Sequence, residues 1–294
     1  MGEGNKMSFR YVIVTPARDE EAHLEGTIQS VVDQTVKPAE WVIVNDGSTD
    51  RTADIIDKYA AHYGWIRGLD RANRGFRKSG GGIVDAFNDG YRSLLCCDWN
   101  FVVKLDGDLT FEPDYFERIF ERFGGEPRLG IAGGTLYSLS SGRMKVERNP
   151  RFHVRGATKV YRRECWEQIG GLWPALGWDT VDETSASMKG WITMSIPDIH
   201  AIHHRPTGAA NGAWNNSVKQ GLICHTVGYH PLFVLASCVY RLVHKPYGIR
   251  ALGSLCGFVH ASLTRVPQVN DPALIKFVRG EQMKRLMGRE TIWK

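Results

Sequence analysis

The stretch VVKLDGDLT, residues 102–110, sets a short apolar run against two carboxylates one residue apart, Asp106 and Asp108. The run lacks the polar–apolar alternation of a half-exposed strand, as expected for a strand covered on both faces. The acids admit two readings. Asp and Gly are ordinary turn residues at a strand end. Paired like charges there also fit a divalent cation, which removes their repulsion. On these nine residues alone both readings stay open.

The same form recurs upstream. Tyr11–Thr15 (YVIVT) leads into TPARDEE, and Trp41–Val44 (WVIV) leads into NDGSTD. Between them, Glu20–Gln34 carries Leu24, Ile28, Val31 and Val32 at helical spacing, and Pro38 ends it. A second helix is expected after Asp50, with Ile55, Ile56 and Tyr59. Trp65–Leu69 then reads as a strand, Gly80–Leu95 as a helix and Phe101–Leu105 as the next strand. Such alternation indicates an α/β protein, a doubly wound, mostly parallel sheet flanked by helices. Ligands of such sheets bind beyond the carboxyl ends of the strands. All three polar clusters fall there, on one rim.

From about Arg122 to Gly177 the pattern loosens into Gly-rich turns and short strands (Gly130–Leu136, Thr158–Tyr161). A helix follows over Thr180–Lys189 and a strand over Thr193–Ile196. From Trp214 on the text is helical, apolar and basic. The expected organisation is a disordered tail over residues 1–9, an α/β domain over 10–210 and a C-terminal, mainly helical region over 211–294.

The chain has 294 residues, 43% hydrophobic and 23% charged, with a net charge of +5. Ten Lys/Arg against three Asp/Glu from Arg241 onward give +7 there, leaving −2 for the rest. That asymmetry suits an anionic partner, a membrane surface before nucleic acid, or reads as no more than a solvated helix face. No nucleic-acid reading motif appears, so no nucleic-acid partner is expected. The six cysteines show no CxxC pair, which fits reduced thiols in a cytoplasmic protein. MGEGNKMSFR has no apolar core and is not a signal peptide. The uncharged window between Lys219 and Arg241 holds Gln220, His225, His230 and Pro231, a poor bilayer span.

Six stretches, in this order, carry a resemblance: VIVTPARDEE (12–21), VIVNDGSTDRT (42–52), NRG with GGGIVDAFNDGY (73–91), VVKLDGDLTFEPDYF (102–116), GATKVYRRECWEQIGGL (156–172) and GWDTVDETSASMKGW (177–191). Together they resemble the family-two glycosyltransferases, which have a GT-A fold, over residues ~10–205. The resemblance implies an inverting, metal-dependent enzyme. It would move a sugar from a nucleotide-diphosphate donor to a hydroxyl of a saccharide or lipid-linked saccharide, in cell-surface polysaccharide or glycolipid synthesis.

It also implies roles for particular residues. Asp106 and Asp108 become ligands of Mn²⁺ or Mg²⁺, Asp108 the more constant, with Asp106 also near the donor's ribose. Such a cation neutralises the departing diphosphate. Asp46 becomes the acceptor for the base N–H, although it also reads as a helix cap. Pro16, Ala17 and Glu20 match the loop that cups the base, where Glu20 equally reads as a first-turn acid favoured by the helix dipole. Arg74, Arg77 and Lys78 lie in the Gly-rich loop, either to meet the diphosphate or as solvated charges. Counting back from Gly190-Trp191 puts the catalytic base on Asp179. Here the sequence departs from the family, because Trp178 replaces a Glu, and Asp182-Glu183 form a second acidic pair that also qualifies. His203 matches a histidine that completes the metal shell in some members; a polar turn before Pro206 is the alternative reading.

Two rivals stand beside this. A nucleotidyltransferase would want a Gly-rich phosphate loop with Lys after the first strand, which TPARDEE lacks. A non-catalytic nucleotide- or sugar-binding module would not need both metal acids and a base.

Overall fold

The computed structural model describes residues 9–75, 80–140, 143–147, 149–205, 212–243 and 247–293. In chain order its elements are β1 (Tyr11–Ala17), α1 (Leu24–Val32), β2 (Glu40–Asn45), α2 (Thr52–His62), β3 (Ile66–Asp70), α3 (Gly81–Arg92), β4 (Phe101–Leu105), β5 (Leu109–Phe111), α4 (Tyr115–Gly125), β6 (Leu129–Ser140), β7 (Arg143–Val146), β8 (Thr158–Arg162), α5 (Arg163–Ile169), α6 (Trp178–Met188) and β9 (Ile192–His203). Four helices follow: α7 (Gly212–Thr226), α8 (Pro231–Leu242), α9 (Ile249–Leu263) and α10 (Pro272–Leu286).

The strands form one sheet in the order β3-β2-β1-β4-β8-β6-β9-β5, with β7 on β6. From β3 to β4 all pairings are parallel. Beyond β4 the sheet is mixed: β8 pairs antiparallel to β4 and β6, whereas β6 and β9 run parallel. The uninterrupted apolar runs arise because side chains alternate between two buried faces. Tyr11, Ile13, Trp41, Ile43 and Val103 enter one core with α1, α2 and α4. Val12, Val14, Val42, Val44 and Val102 enter the other with α3, α5 and α6.

Several bounds differ from their sequence reading: β6 runs on to Ser140, and α1 starts only at Leu24. The strand expected over Thr193–Ile196 extends to His203. Its pairing jumps from Gly134↔Ile196 to Thr135↔His200, so an irregularity absorbs Pro197, Asp198 and Ile199, as bulges commonly do for a proline in a sheet. The tail expected over 1–9 must also be shortened, because Phe9 packs on Phe101 and Phe120; residues 1–8 lie outside the described residues. The boundary expected at 210/211 does too. On the C-terminal side, α10 packs on α6 through Val181, Leu274 and Val278, with Val227 and Val269 beside them. No helix of the described residues is long and apolar enough to cross a membrane.

Candidate active site

The loops after β1, β2 and β4 are laced together at the carboxyl rim. Asp46 N–H donates to the Ala17 carbonyl (2.8 Å), and Glu20 N–H to the Thr52 hydroxyl (2.8 Å). Asp19, at φ 54°, accepts from Thr49 N–H (2.8 Å). Gly47 is required here: at φ 69°, an added Cβ would stand 2.5 Å from Asn73 Cα. Pro16 and Ala17 are the buried last residues of β1 beneath this lacing.

Asp46 is not a helix cap. Asp50, instead, accepts from Thr52 N–H (3.0 Å). Asp46 is 5% exposed, and Arg74 grips both its oxygens, one at 2.8 Å, while Arg71 reaches the first. Arg77 and Lys78 lie outside the described residues.

Asp106 ends β4 and is tied to Lys104, two residues back on the same strand face, whose ammonium also donates to the Gly156 carbonyl (2.5 Å). Burial pushes the Asp106 carboxyl up, with Lys104 opposing. Asp108 is buried among cations: Arg205 Nε donates to Oδ2 (3.1 Å), and His203 Nε2 stands 3.5 Å from Oδ1. Burial would raise Asp108, but His203 and Arg205 outweigh it and hold the carboxyl below its ordinary value. Arg205 also pairs with Glu20, which burial lifts to about 7 against the arginine's pull. His203 Nδ1 meets Glu147 (3.0 Å), and Glu147 meets Arg155 (2.8 Å). Burial alone would lower His203, yet the two carboxylates raise it to about 9, so it is a cation at neutral pH.

The fit to a divalent cation rests on two atoms. Asp108 Oδ1 and Glu20 Oε2 are buried with no hydrogen-bond partner among the described residues. Carboxylate oxygen suits Mg²⁺ and Mn²⁺. As placed, no three His, Cys, Asp or Glu side chains converge to hold a metal among the described residues. His203 in its protonated form does not ligate, since a metal takes the neutral ring.

Geometry separates the three acids of α6. Asp182 points into the core, its side chain fully buried, gripped by Lys159 (2.9 and 3.0 Å) and Tyr161 hydroxyl (2.6 Å). Glu183 accepts from Val154 N–H (2.7 Å) and meets His153 (2.8 Å) and Lys159 (2.9 Å). One buried lysine thus serves two carboxylates. Burial of the surplus negative charge pushes Asp182 up to about 6, and the acids raise Lys159 to about 12. Lys159→Met would strand both acids, so we expect a loss of about 3–5 kcal/mol, read as a shift of the urea unfolding midpoint. An unchanged midpoint would show that the buried pair does not hold α6.

Asp179 differs. It lies in the first turn of α6, whose N-cap is Gly177, and no hydrogen bond to its carboxylate occurs among the described residues. Its backbone carbonyl accepts from Lys159 (2.9 Å). Trp178, the residue that departs from the family pattern, lies beneath Lys104 and Lys159, with ammoniums 5.3 and 5.4 Å from its ring. An aromatic face attracts such cations. Asp179, Glu183, His153 and Arg155 open on a cavity of about 1050 Å³ that Phe233 of α8 and Trp293 also line.

The sequence reading missed Lys104, Glu147, Arg155, Lys159 and Arg205. Only Lys104 carried a local signal, since strand residues two apart share a face.

The profile of glycosyl transferase family 2 matches residues 12–175, more than half of the chain. The chain belongs to glycosyl transferase family 2. It is 32% identical over 131 residues to the uncharacterized glycosyltransferase EpsJ of Bacillus subtilis, covering 45% of this chain and 35% of EpsJ. It is 28% identical over 116 residues to the poly-beta-1,6-N-acetyl-D-glucosamine synthase of Staphylococcus aureus, covering 40% of this chain and 26% of the synthase. The family-2 chain thus spans well under two thirds of these curated relatives. Its fold is similar to that of the mannosyltransferase PcManGT of Pyrobaculum calidifontis, solved with GDP-Man and Mn²⁺: TM-score 0.55, 15% identity, 96% of this chain and 76% of that one.

Proposed function

We propose that this chain transfers a glycosyl group, with inversion, from a nucleotide-diphosphate sugar to a hydroxyl acceptor, with Asp179 as general base. The observation that carries this is the Asp179 carboxylate on the wall of the large cavity, with no hydrogen bond among the described residues. A base must reach the acceptor proton, and a carboxylate already bonded on every side cannot. Asp182 and Glu183 are bonded in that way, and they hold α6 in place. The Asp179 carboxylate deprotonates the acceptor hydroxyl, which attacks the anomeric carbon as the nucleoside diphosphate leaves.

The donor's nucleoside belongs on the rim built from Pro16, Ala17, Glu20 and Asp46. Arg74, and Arg77 and Lys78 where the chain continues, supply positive charge for its diphosphate. Asp108 and Asp106, with His203 once its ring gives up its proton, would hold Mn²⁺ or Mg²⁺, which supplies charge neutralisation to the leaving diphosphate. The relative named for poly-beta-1,6-N-acetyl-D-glucosamine synthesis supports a saccharide acceptor, free or lipid-linked, in cell-surface polysaccharide or glycolipid assembly. The basic C-terminal helices support work at an anionic membrane surface on its cytoplasmic side.

The test is release of nucleoside diphosphate from a panel of UDP-, GDP- and dTDP-sugars, with and without Mn²⁺. We expect Mn²⁺-dependent release from one base class. Pyrophosphate release would instead indicate a nucleotidyltransferase, and binding without release a non-catalytic module.

A further inference from the structure

We propose that the outer face of α8 and α9 docks on an anionic lipid bilayer. On α8, Leu232, Leu235, Val239 and Leu242 recur every three or four residues and are about half exposed or more. On α9, Ile249, Leu252, Val259 and Leu263 stand three, seven and four residues apart, at 41%, 55%, 44% and 79% exposure, with exposed Cys256 in the longer gap. Such spacing keeps each set on one side of its helix.

The inner face of α9 makes this arrangement unusual. It buries Ala251, Gly253, Ser254, Gly257 and Ala261. There α7 approaches so closely that a Cβ on Gly257 would stand 2.0 Å from the Val218 carbonyl, and one on Gly221 2.0 Å from that of Ser254. A helix on a water-facing surface ordinarily turns its large apolar residues inward. Small residues inside with large ones outside is the pattern of helices whose outer surroundings are themselves apolar.

Charge selects the occupant. Residues 199–270 contain no Asp or Glu, while Lys219, Arg250 and Arg265 of the same segment are exposed. An apolar face in a segment that carries one sign of charge complements an anionic headgroup layer over an acyl interior. At 15 residues, α9 is about 22 Å long, too short to span, so both helices lie in the interface plane.

The opposite side of α8 supplies Phe233, Ser237, Tyr240 and Arg241 to the cavity that holds Asp179. Docking therefore sets the cavity beside the lipid surface, where a lipid-linked acceptor resides. This last step rests on the proposed glycosyl transfer, whereas docking does not.

The experiment is flotation of the full chain with phosphatidylcholine vesicles, with and without phosphatidylglycerol, at low and high salt. We expect salt-sensitive binding only to the anionic vesicles. Leu235→Glu/Val239→Glu should bind roughly tenfold less at an unchanged thermal midpoint. Arg250→Glu/Arg265→Glu should lose the preference for phosphatidylglycerol and decides the matter should the first variant unfold. No flotation with phosphatidylglycerol, flotation of both variants like the parent, or a dimer in light scattering that Leu235→Glu/Val239→Glu dissociates would each overturn the proposal. Flotation needs no donor, and donor cleavage needs no vesicle, so either reading can fail alone.

Discussion

Replacing Asp179 by Asn is expected to slow nucleoside diphosphate release by roughly 10²–10⁴, the range for loss of a general base, while donor binding stays nearly intact. The amide keeps the size of the side chain but cannot take a proton. Nothing else should move: the hydrogen bond that ties the residue to Lys159 runs through its backbone carbonyl, and a side-chain change leaves that in place. Asp182→Asn is the informative contrast. It removes the charge that Lys159 and Tyr161 both address, so its loss should appear first as lower stability. Release with water as acceptor, titration of the nucleoside diphosphate and thermal unfolding of both variants separate the cases. A thermally unaltered Asp182→Asn with the turnover defect would move the base one helical turn along.

The contrast also shows what the sequence could disclose. β1, β2 and β4 were legible because burial on both faces leaves uninterrupted apolar runs, and their acids were legible because they stand at the carboxyl ends. β9 was legible only to Ile196, since its remaining residues pair around a bulge that period-two reasoning does not accommodate. The partners of the acids were not legible. Arg205 reaches Glu20 across 185 residues, and Lys159 reaches Asp182 across 23, contacts that only the closed fold creates. For the same reason Asp182 and Glu183 still qualified beside Asp179. Their spacing on one helix is plain, yet the direction each faces depends on where β8 puts Lys159.

Asp108→Asn should abolish transfer and Mn²⁺-dependent binding of the nucleoside diphosphate. Its Oδ1 is buried with no hydrogen bond among the described residues, a costly state for a charged oxygen. The side chain is held in its ionised form by Arg205 and His203, so the charge is available at neutral pH. Two unit charges about 4 Å apart are worth about 4 kcal/mol at an effective dielectric of 20, roughly three orders of magnitude in affinity, and a divalent ion feels about twice that attraction. An amide forfeits that attraction while filling the same space. Asp106→Asn should cost less, because its side chain is 24% exposed against 7% for Asp108, and water screens a more exposed charge. Free Mn²⁺ followed by electron paramagnetic resonance reads the effect without any turnover, and calorimetric titration of the nucleoside diphosphate reads it again. Should Asp108→Asn keep near-parental Mn²⁺ uptake and release, the cation has no place on this rim. Arg205, which already bridges Asp108 and Glu20, would then be the positive charge that meets the leaving diphosphate.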